Sequence, residues 1–335
     1  MAVTEQSQIG DARRRAADFA RTAALGARAD AVALVATEMA SNLVKHGGGG
    51  ELLVQHFDDA DGSGIELLAL DRGPGMDNVE RSRVDGHSTS GSPGTGLGAI
   101  ARQADRFRIF SRPGMGTALQ ARFVVTPVVR NPGGSSRRQF GTVVAPYPGE
   151  TEIGDAWAFA DVSDGCSVFM ADGSGHGPEA ARAANTAVAV YQAHRGDDGV
   201  RLVERIHRAL ASTRGAAVAL ATIDLAAGVL RYVGVGNIAG VLIGAAESRH
   251  LVSSNGTAGH GTPRIREFAY PLAAAALLVM HSDGLASRWS LAAYPGLVVQ
   301  HPGLVAGVLF RDHRRGRDDA SVVALRLAPP DQTAA

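Results

Sequence analysis

A carboxylate placed directly before two glycines can do more than turn a chain. In Asp71-Arg72-Gly73-Pro74-Gly75-Met76 the acid can accept a hydrogen bond from an adenine amino group, and Gly73 and Gly75 let the backbone approach a ligand closely. A second glycine run, Gly94-Thr95-Gly96-Leu97-Gly98, leads into a short helix. Open backbone N–H groups and a helix N-terminus both favour phosphate. Upstream, Glu38 and Asn42 lie one helical turn apart and so project in one direction. Asn42 offers magnesium a hard oxygen ligand, and Glu38 is placed to act as a general base or to position water. A turn alone would explain Asp71 and its glycines. The whole set, in this order, describes a nucleotide pocket. Lys45 and His46 follow on the same helix, where they either reach phosphates and magnesium-bound water or form its solvated end.

A second group of acids lies downstream. Asp155, Asp172, Asp283 and Asp318 each sit at the end of a strand-like run. A packed sheet could bring these ends together. Clustered carboxylates repel, so such a cluster implies bound cations or raised pKa values. Oxygen-only ligands suit magnesium or manganese, and two such ions can activate water against a phosphoester. Aspartates that merely cap turns would give the same spacing, because Asp-Gly is a common turn signal. Asp319 is the register alternative to Asp318, and His176 could protonate a leaving group or simply open a helix.

These residues need elements to hold them. Periodicity predicts helices over Ile9–Leu25 and from Asp30, as cap, to His46, with Val32, Val35, Met39 and Leu43 as the buried stripe. Strands follow at Glu51–Phe57 and Ile65–Leu70, the second delivering Asp71, and a polar, lid-like segment spans Asp77–Pro93. A strand at Phe107–Phe110 and another from Thr117 to Val125 complete the first half. Pro127–Arg138 is polar and rich in turn formers, which predicts a linker over 127–137 between domains at 1–126 and 138–328. In the second half, paired strands around Trp157–Phe159 and Ser167–Ala171 carry Asp155 and Asp172, and Pro178 fits the first turn of a helix ending near His194. Asn237 is expected to close a hairpin, and His301–Arg311 suits a helix.

Composition narrows the classes. The chain has 335 residues, 45% hydrophobic and 20% charged, with formal net charge +0. That balance points to neither nucleic acid nor a membrane surface as partner. The one cysteine, Cys166, stands in an apolar run, which excludes a disulfide scaffold and a cysteine metal cluster. The apolar stretch Leu272–Met280 is too short to span a bilayer, so a cytoplasmic protein is expected.

The first half resembles the Bergerat-fold ATPases, the group of gyrase, histidine kinases and MutL, and within them the RsbW and RsbT anti-sigma serine kinases. The resemblance rests on Glu38-Met39-Ala40-Ser41-Asn42-Leu43-Val44-Lys45-His46, on the Asp71–Met76 and Gly94–Ile100 boxes, and on Gly114-Met115-Gly116-Thr117. It implies ATP with Mg²⁺ as cofactor. Asn42 would be the magnesium ligand, Glu38 the catalytic carboxylate and Asp71 the adenine reader. Gly73, Gly75, Gly96, Leu97, Gly98 and Thr117, with Lys45, would line the nucleotide.

The second half resembles PP2C-type phosphatases of the SpoIIE and RsbX branch. The carriers are Gly149–Asp155, Met170–Gly177, His281-Ser282-Asp283-Gly284-Leu285 and Arg317-Asp318-Asp319-Ala320-Ser321. The resemblance implies two Mn²⁺ or Mg²⁺ ions. Asp172 would bridge them, with the Gly173 carbonyl, Asp283 and Asp318 as further ligands and Asp155 acting on water or as an outer ligand. Together the two resemblances imply an α+β protein, a Bergerat α/β sandwich followed by a PP2C-like α/β/β/α sandwich. One site would phosphorylate, and the other dephosphorylate, a serine or threonine of a STAS-type antagonist or stressosome protein. The alternatives are a phosphatase with an ATP-sensing first domain, and a partner-switching protein that binds a sigma factor.

Overall fold

Alternation along one strand organises the first unit. In β3 (Gly62–Asp71), Ile65, Leu67 and Ala69 point to a helical layer, while Glu66 points to the opposite face. The neighbouring β5 (Thr117–Thr126) repeats the pattern, with Leu119, Ala121 and Phe123 on the helical side and Gln120 and Arg122 opposite. With β1 (Ala2–Val3), β2 (Gly50–Asp59) and β4 (Arg106–Ser111) they form an antiparallel sheet in the order β1-β2-β3-β5-β4. Helices α1 (Gln8–Thr22), α2 (Ala29–Lys45) and α3 (Gly96–Gln103) supply the helical layer. Val32, Val35, Met39 and Leu43 of α2 are fully buried in this core. Burial of each such side chain contributes roughly 1.5–3 kcal/mol.

This computed structural model describes residues 1–79, 96–127, 138–162, 165–244, 247–272 and 275–327. Most of the lid-like segment, Gly94 and Thr95, and nearly all of the expected linker lie outside the described residues. The chain packs as two units. One comprises Met1–Gly141 with Val299–Arg311, and the other Thr142–Val298 with the residues from Asp312 on.

The second face of the first sheet is covered by α6 (Pro302–His313). Glycine permits the approach: a methyl added at Gly307 would lie 2.9 Å from Leu68 Cδ2. Under this helix Arg122 Nε meets Glu66 at 2.6 Å, and its Nη1 meets Asp59 at 3.0 Å and Asp61 at 2.8 Å. Asp59, Asp61 and His301 bring one ligand atom each within 4.8 Å of one another. The Arg122 guanidinium already occupies that focus and supplies the cation.

The second unit contains two five-stranded sheets. Strands β7 (Asp155–Val162), β8 (Gly165–Gly173), β9 (Ala216–Asp224), β10 (Val229–Val235) and β13 (Glu267–Pro271) form one, in the order β13-β10-β9-β8-β7. Helices α4 (Pro178–His194) and α5 (Gly199–Ala209) pack on it through Ala183, Ala184, Ala187, Leu202 and Ile206. Asp198 caps α5 by accepting from Val200 N and Arg201 N. The other sheet runs β12-β11-β14-β15-β6, from β6 (Phe140–Ala145), β11 (Ala239–Gly244), β12 (Ser248–His250), β14 (Ala275–His281) and β15 (Ala320–Arg326). Cys166 is fully buried.

Three local expectations change. The first helix stops at Thr22, and a short 3₁₀ turn, Gly26–Arg28, leads into α2. Asp30 is not its cap: it lies in the first turn of α2, where its charge still complements the helix dipole. Asn237 does not close a hairpin, because β10 and β11 belong to different sheets and the chain crosses between them at that point.

Candidate active sites

In the first unit, strand pairing fixes the acid. Asp71 ends β3 opposite Thr117 of β5 and Gly50 of β2. Its Oδ1 accepts from Gly73 N at 2.8 Å and Thr117 N at 3.1 Å. Both bonds fall on one oxygen, which leaves Oδ2 for a ligand donor. Burial pushes the Asp71 carboxyl above its ordinary value, while the two N–H bonds and the charges of Arg311 and His46 pull it back. Gly47 and Gly73 close up behind it. A methyl at Gly47 would lie 2.6 Å from Asp71 Cβ, and one at Gly73 would lie 2.8 Å from Gly47 Cα.

The glycine that opens α3 sits beside the α2 polar pair. A methyl at Gly96 would lie 3.2 Å from Glu38 Oε2 and 3.5 Å from Asn42 Oδ1. The structure thus brings Glu38, Asn42 and Gly96 together. Leu97 packs against the core of the unit, and Gly98 is buried. Gly75 has φ +72° and lies against the Arg112 carbonyl, so it serves the turn. Lys45 and His46 are exposed at the end of α2. Ser111, which no motif singles out, joins the two turns: its hydroxyl accepts from Met76 N and donates to Gly116 O, each at 3.0 Å. Only its contacts reveal that role.

In the second unit, Asp155 and Asp172 are a cross-strand pair on β7 and β8. Asp283 follows β14 and Asp318 precedes β15, so two carboxylates come from each sheet. Asp172, Asp283 and Asp318 line a cavity of about 340 Å³, together with Ser174, Asn237 and Thr257. Asp155 lies deeper, 5% exposed, and its Oδ2 has no hydrogen-bond partner among the described residues. Burial, with the charges of Asp319 and Asp318, pushes Asp155 up to about 7 against the Ser282 and Ser321 hydroxyls. Burial, then the charges of Asp155, Asp283 and Asp318, pushes Asp172 up to about 9. Asp318 is raised by burial and by its acidic neighbours. Crowded, desolvated carboxylates with an orphaned buried oxygen fit hard divalent cations, which would relieve both repulsion and desolvation.

Two neighbours acquire roles that spacing does not show. Asn237 Nδ2 donates to Asp283 Oδ2 at 2.7 Å and holds that carboxylate toward the cavity. Asp319 turns away: its oxygens accept from Tyr147 N and Gly154 N, both at 2.7 Å, which anchors the approach to β7. His176 is held by Glu150, with Nδ1 to Oε1 at 3.0 Å, and stacks on Tyr147 at 4.4 Å. Gly173 packs against α4 and donates to Gly154 O at 2.9 Å.

Residues 2–123 match the family model described as a histidine kinase-like ATPase domain, and residues 163–328 match that of stage II sporulation protein E (SpoIIE). The chain is therefore an α+β protein that joins a GHKL-like ATPase domain to a SpoIIE-type, PP2C-like phosphatase domain. Among known proteins it is similar to the serine/threonine-protein kinase RsbT of Bacillus subtilis (strain 168), 35% identical over 85 residues. That match covers 25% of this chain and 64% of the relative, so the chain spans just under two thirds of the relative's length. A solved structure described as "The bacterial stressosome: a modular system that has been adapted to control secondary messenger signaling" matches at TM-score 0.52 and 27% identity, over 56% of this chain and 98% of that one. Among the described residues, no helix is long and apolar enough to cross a membrane.

Proposed function

We propose that this chain is a two-site switch enzyme. Its first domain, 1–126, phosphorylates a serine or threonine of a STAS-type antagonist or stressosome protein, and its second, 138–328, removes that phosphate. The observation that carries the reading is a set of carboxylates drawn from two sheets: Asp172, Asp283 and Asp318 line one cavity, and Asp155 is the buried cross-strand partner of Asp172. The likeness of the first half to a serine/threonine kinase supports the other direction of transfer. The stressosome likeness supports the substrate class.

In the phosphatase site, Asp172, Asp283, Asp318 and the Gly173 carbonyl would hold two Mn²⁺ or Mg²⁺ ions. When bound, such ions supply Lewis-acid charge and lower the pKa of water. Asp155, placed behind Asp172, takes a proton from water or orients it. Asn237 keeps Asp283 from rotating out of the cavity. In the nucleotide site, Asp71 selects the base through Oδ2. Asn42 would ligate Mg²⁺ held with ATP, Glu38 accepts the proton of the acceptor hydroxyl, and Lys45 and the glycines at 73, 75, 96 and 98 frame the phosphates. Positioning and charge neutralisation carry most of a phosphoryl transfer.

Candidate STAS proteins incubated with the chain and ATP-magnesium should gain one phosphate by mass spectrometry. They should lose it when ATP is removed and manganese added. Failure to remove phosphate from any phosphorylated partner in manganese would sink the phosphatase half. Removal without prior addition would leave a phosphatase with an ATP-sensing domain.

A further inference from the structure

The residue that secures the adenine-reading turn comes from the far end of the chain. Arg311, in the last turn of α6, is buried at 8% exposure within the first unit. Its Nη1 donates to the backbone carbonyl of Asp71 at 2.8 Å. In return, Arg72 Nη2 donates to the backbone carbonyl of Arg311. Two side-chain-to-backbone bonds thus clamp the segments together, Arg72 to Arg311 across 239 residues of sequence and Arg311 to Asp71 across 240. The Arg311 guanidinium also fills the space over the opposite turn, where a methyl added at Gly116 would lie 2.9 Å from Nη1. Gly116 precedes Thr117, whose N–H holds Asp71 Oδ1. Both backbone segments that orient the Asp71 carboxylate therefore meet one side chain.

We infer that Arg311 is a positioning residue for nucleotide recognition, so that the adenine site of the first domain is completed by α6 from the second half of the chain. The inference rests on the reading of Asp71 as the group that accepts from the adenine amino group. Arg311 touches no nucleotide; it fixes where Asp71 Oδ2 points. Its positive charge also favours the ionised carboxylate, which is the stronger acceptor. Loss of the clamp should act on base discrimination, because the phosphates are framed by other residues.

The test uses the full chain with Mg²⁺ and non-hydrolysable analogues of ATP and of inosine triphosphate, which lacks the amino group. Calorimetry should show the unaltered chain preferring the ATP analogue. Arg311→Met should bind the ATP analogue about tenfold more weakly, the scale of one lost charge-assisted hydrogen bond, with the inosine analogue unchanged. Arg311→Lys, which keeps charge and a donor without the planar fork, should fall between. If Arg311→Met shows no cooperative thermal transition, Arg311→Lys alone decides: reduced discrimination supports the role and full discrimination overturns it. Equal weakening toward both analogues would also overturn it, as a purely structural effect. Asp71→Asn runs in parallel. If that variant keeps full discrimination, the reading of Asp71 fails. If it loses discrimination while both Arg311 variants keep it, only the role of Arg311 fails.

Discussion

Asp155 and Asp172 face each other across β7 and β8, two carboxylates in register at the buried end of one strand pair. Without a cation this pair opposes folding: burial, with the charges of Asp319 and Asp318, raises Asp155 to about 7, and burial, with the charges of Asp155, Asp283 and Asp318, raises Asp172 to about 9. Asp172→Asn removes a carboxyl that, raised to about 9, must take up a proton on folding at about pH 8. In chelator-treated protein at about pH 8, between those two values, the variant should melt at a higher temperature than the unaltered chain. Added manganese should raise the melting temperature of the unaltered chain more than that of the variant. Phosphoester hydrolysis by Asp172→Asn should fall about a hundredfold or more, the scale of several kcal/mol of lost Lewis-acid stabilisation. Wild-type hydrolysis at limiting manganese would remove Asp172 from the site.

Adjacent aspartates 318 and 319 should separate cleanly. Asp319 spends both oxygens on Tyr147 N and Gly154 N. In Asp319→Asn an amide N–H₂ must face one of those donors, so the variant should lose roughly 1–3 kcal/mol of stability in urea unfolding. Asp318→Asn should cost little stability and should raise the manganese concentration needed for half-maximal hydrolysis. The reverse pattern would exchange the two assignments.

The legibility of the chain follows from the range of the interactions. The α2 stripe and the placement of Asp71 after a strand are local, so periodicity and turn chemistry suffice. Asp155 and Asp172 are legible as strand ends because Gly-Asp and Asp-Gly punctuate them. Asn237 misleads because a hairpin and a sheet crossover share the same short glycine-bearing link; only strand order distinguishes them. The roles of Asp319, Arg311 and Ser111 depend on partners supplied by the fold, and no spacing rule encodes a bond from residue 311 to residue 71. Short strands such as β1 and β13 lack enough alternation to register.

His301 provides a pH prediction that involves none of the proposed metal ligands. Its Nδ1 accepts from Gly303 N at 3.1 Å, so the neutral ring carries its proton on Nε2, toward Asp59. A second proton on Nδ1 would oppose that N–H and the nearby Gln120 amide. Burial, then the charges of Arg122 and Arg108, hold His301 below its ordinary value despite Asp59. A depressed histidine binds its proton more readily when unfolded. Its contribution to stability is therefore complete above about pH 6.5 and is lost as pH falls through that value, by up to about 1.4 kcal/mol per pH unit. His301→Gln should reduce the drop in unfolding free energy between about pH 7.5 and about pH 5.5, a window that brackets the ordinary histidine value. An unchanged drop would show that His301 titrates normally.

Glu38 separates a kinase from a sensor. Both need Asp71 and Asn42, because both bind ATP with magnesium; only phosphoryl transfer needs a base at the acceptor hydroxyl. Glu38 is half-buried on α2, with Oε2 beside Gly96 at the start of α3. Glu38→Gln keeps its size and helix position but removes the basic oxygen. It should leave the affinity for a non-hydrolysable ATP analogue within about twofold, since the amide perturbs a site it does not ligate. Phosphorylation of the partner protein should slow by ~10²–10⁴-fold. Both chains compared must also carry Asp172→Asn, so that hydrolysis does not hide the product. Calorimetry measures binding, and a single-turnover assay read by mass spectrometry measures transfer. Equal transfer rates with and without Glu38→Gln would take Glu38 off the catalytic list while leaving the kinase. No transfer to any partner from a chain that still binds ATP would make the first domain a nucleotide sensor for the phosphatase.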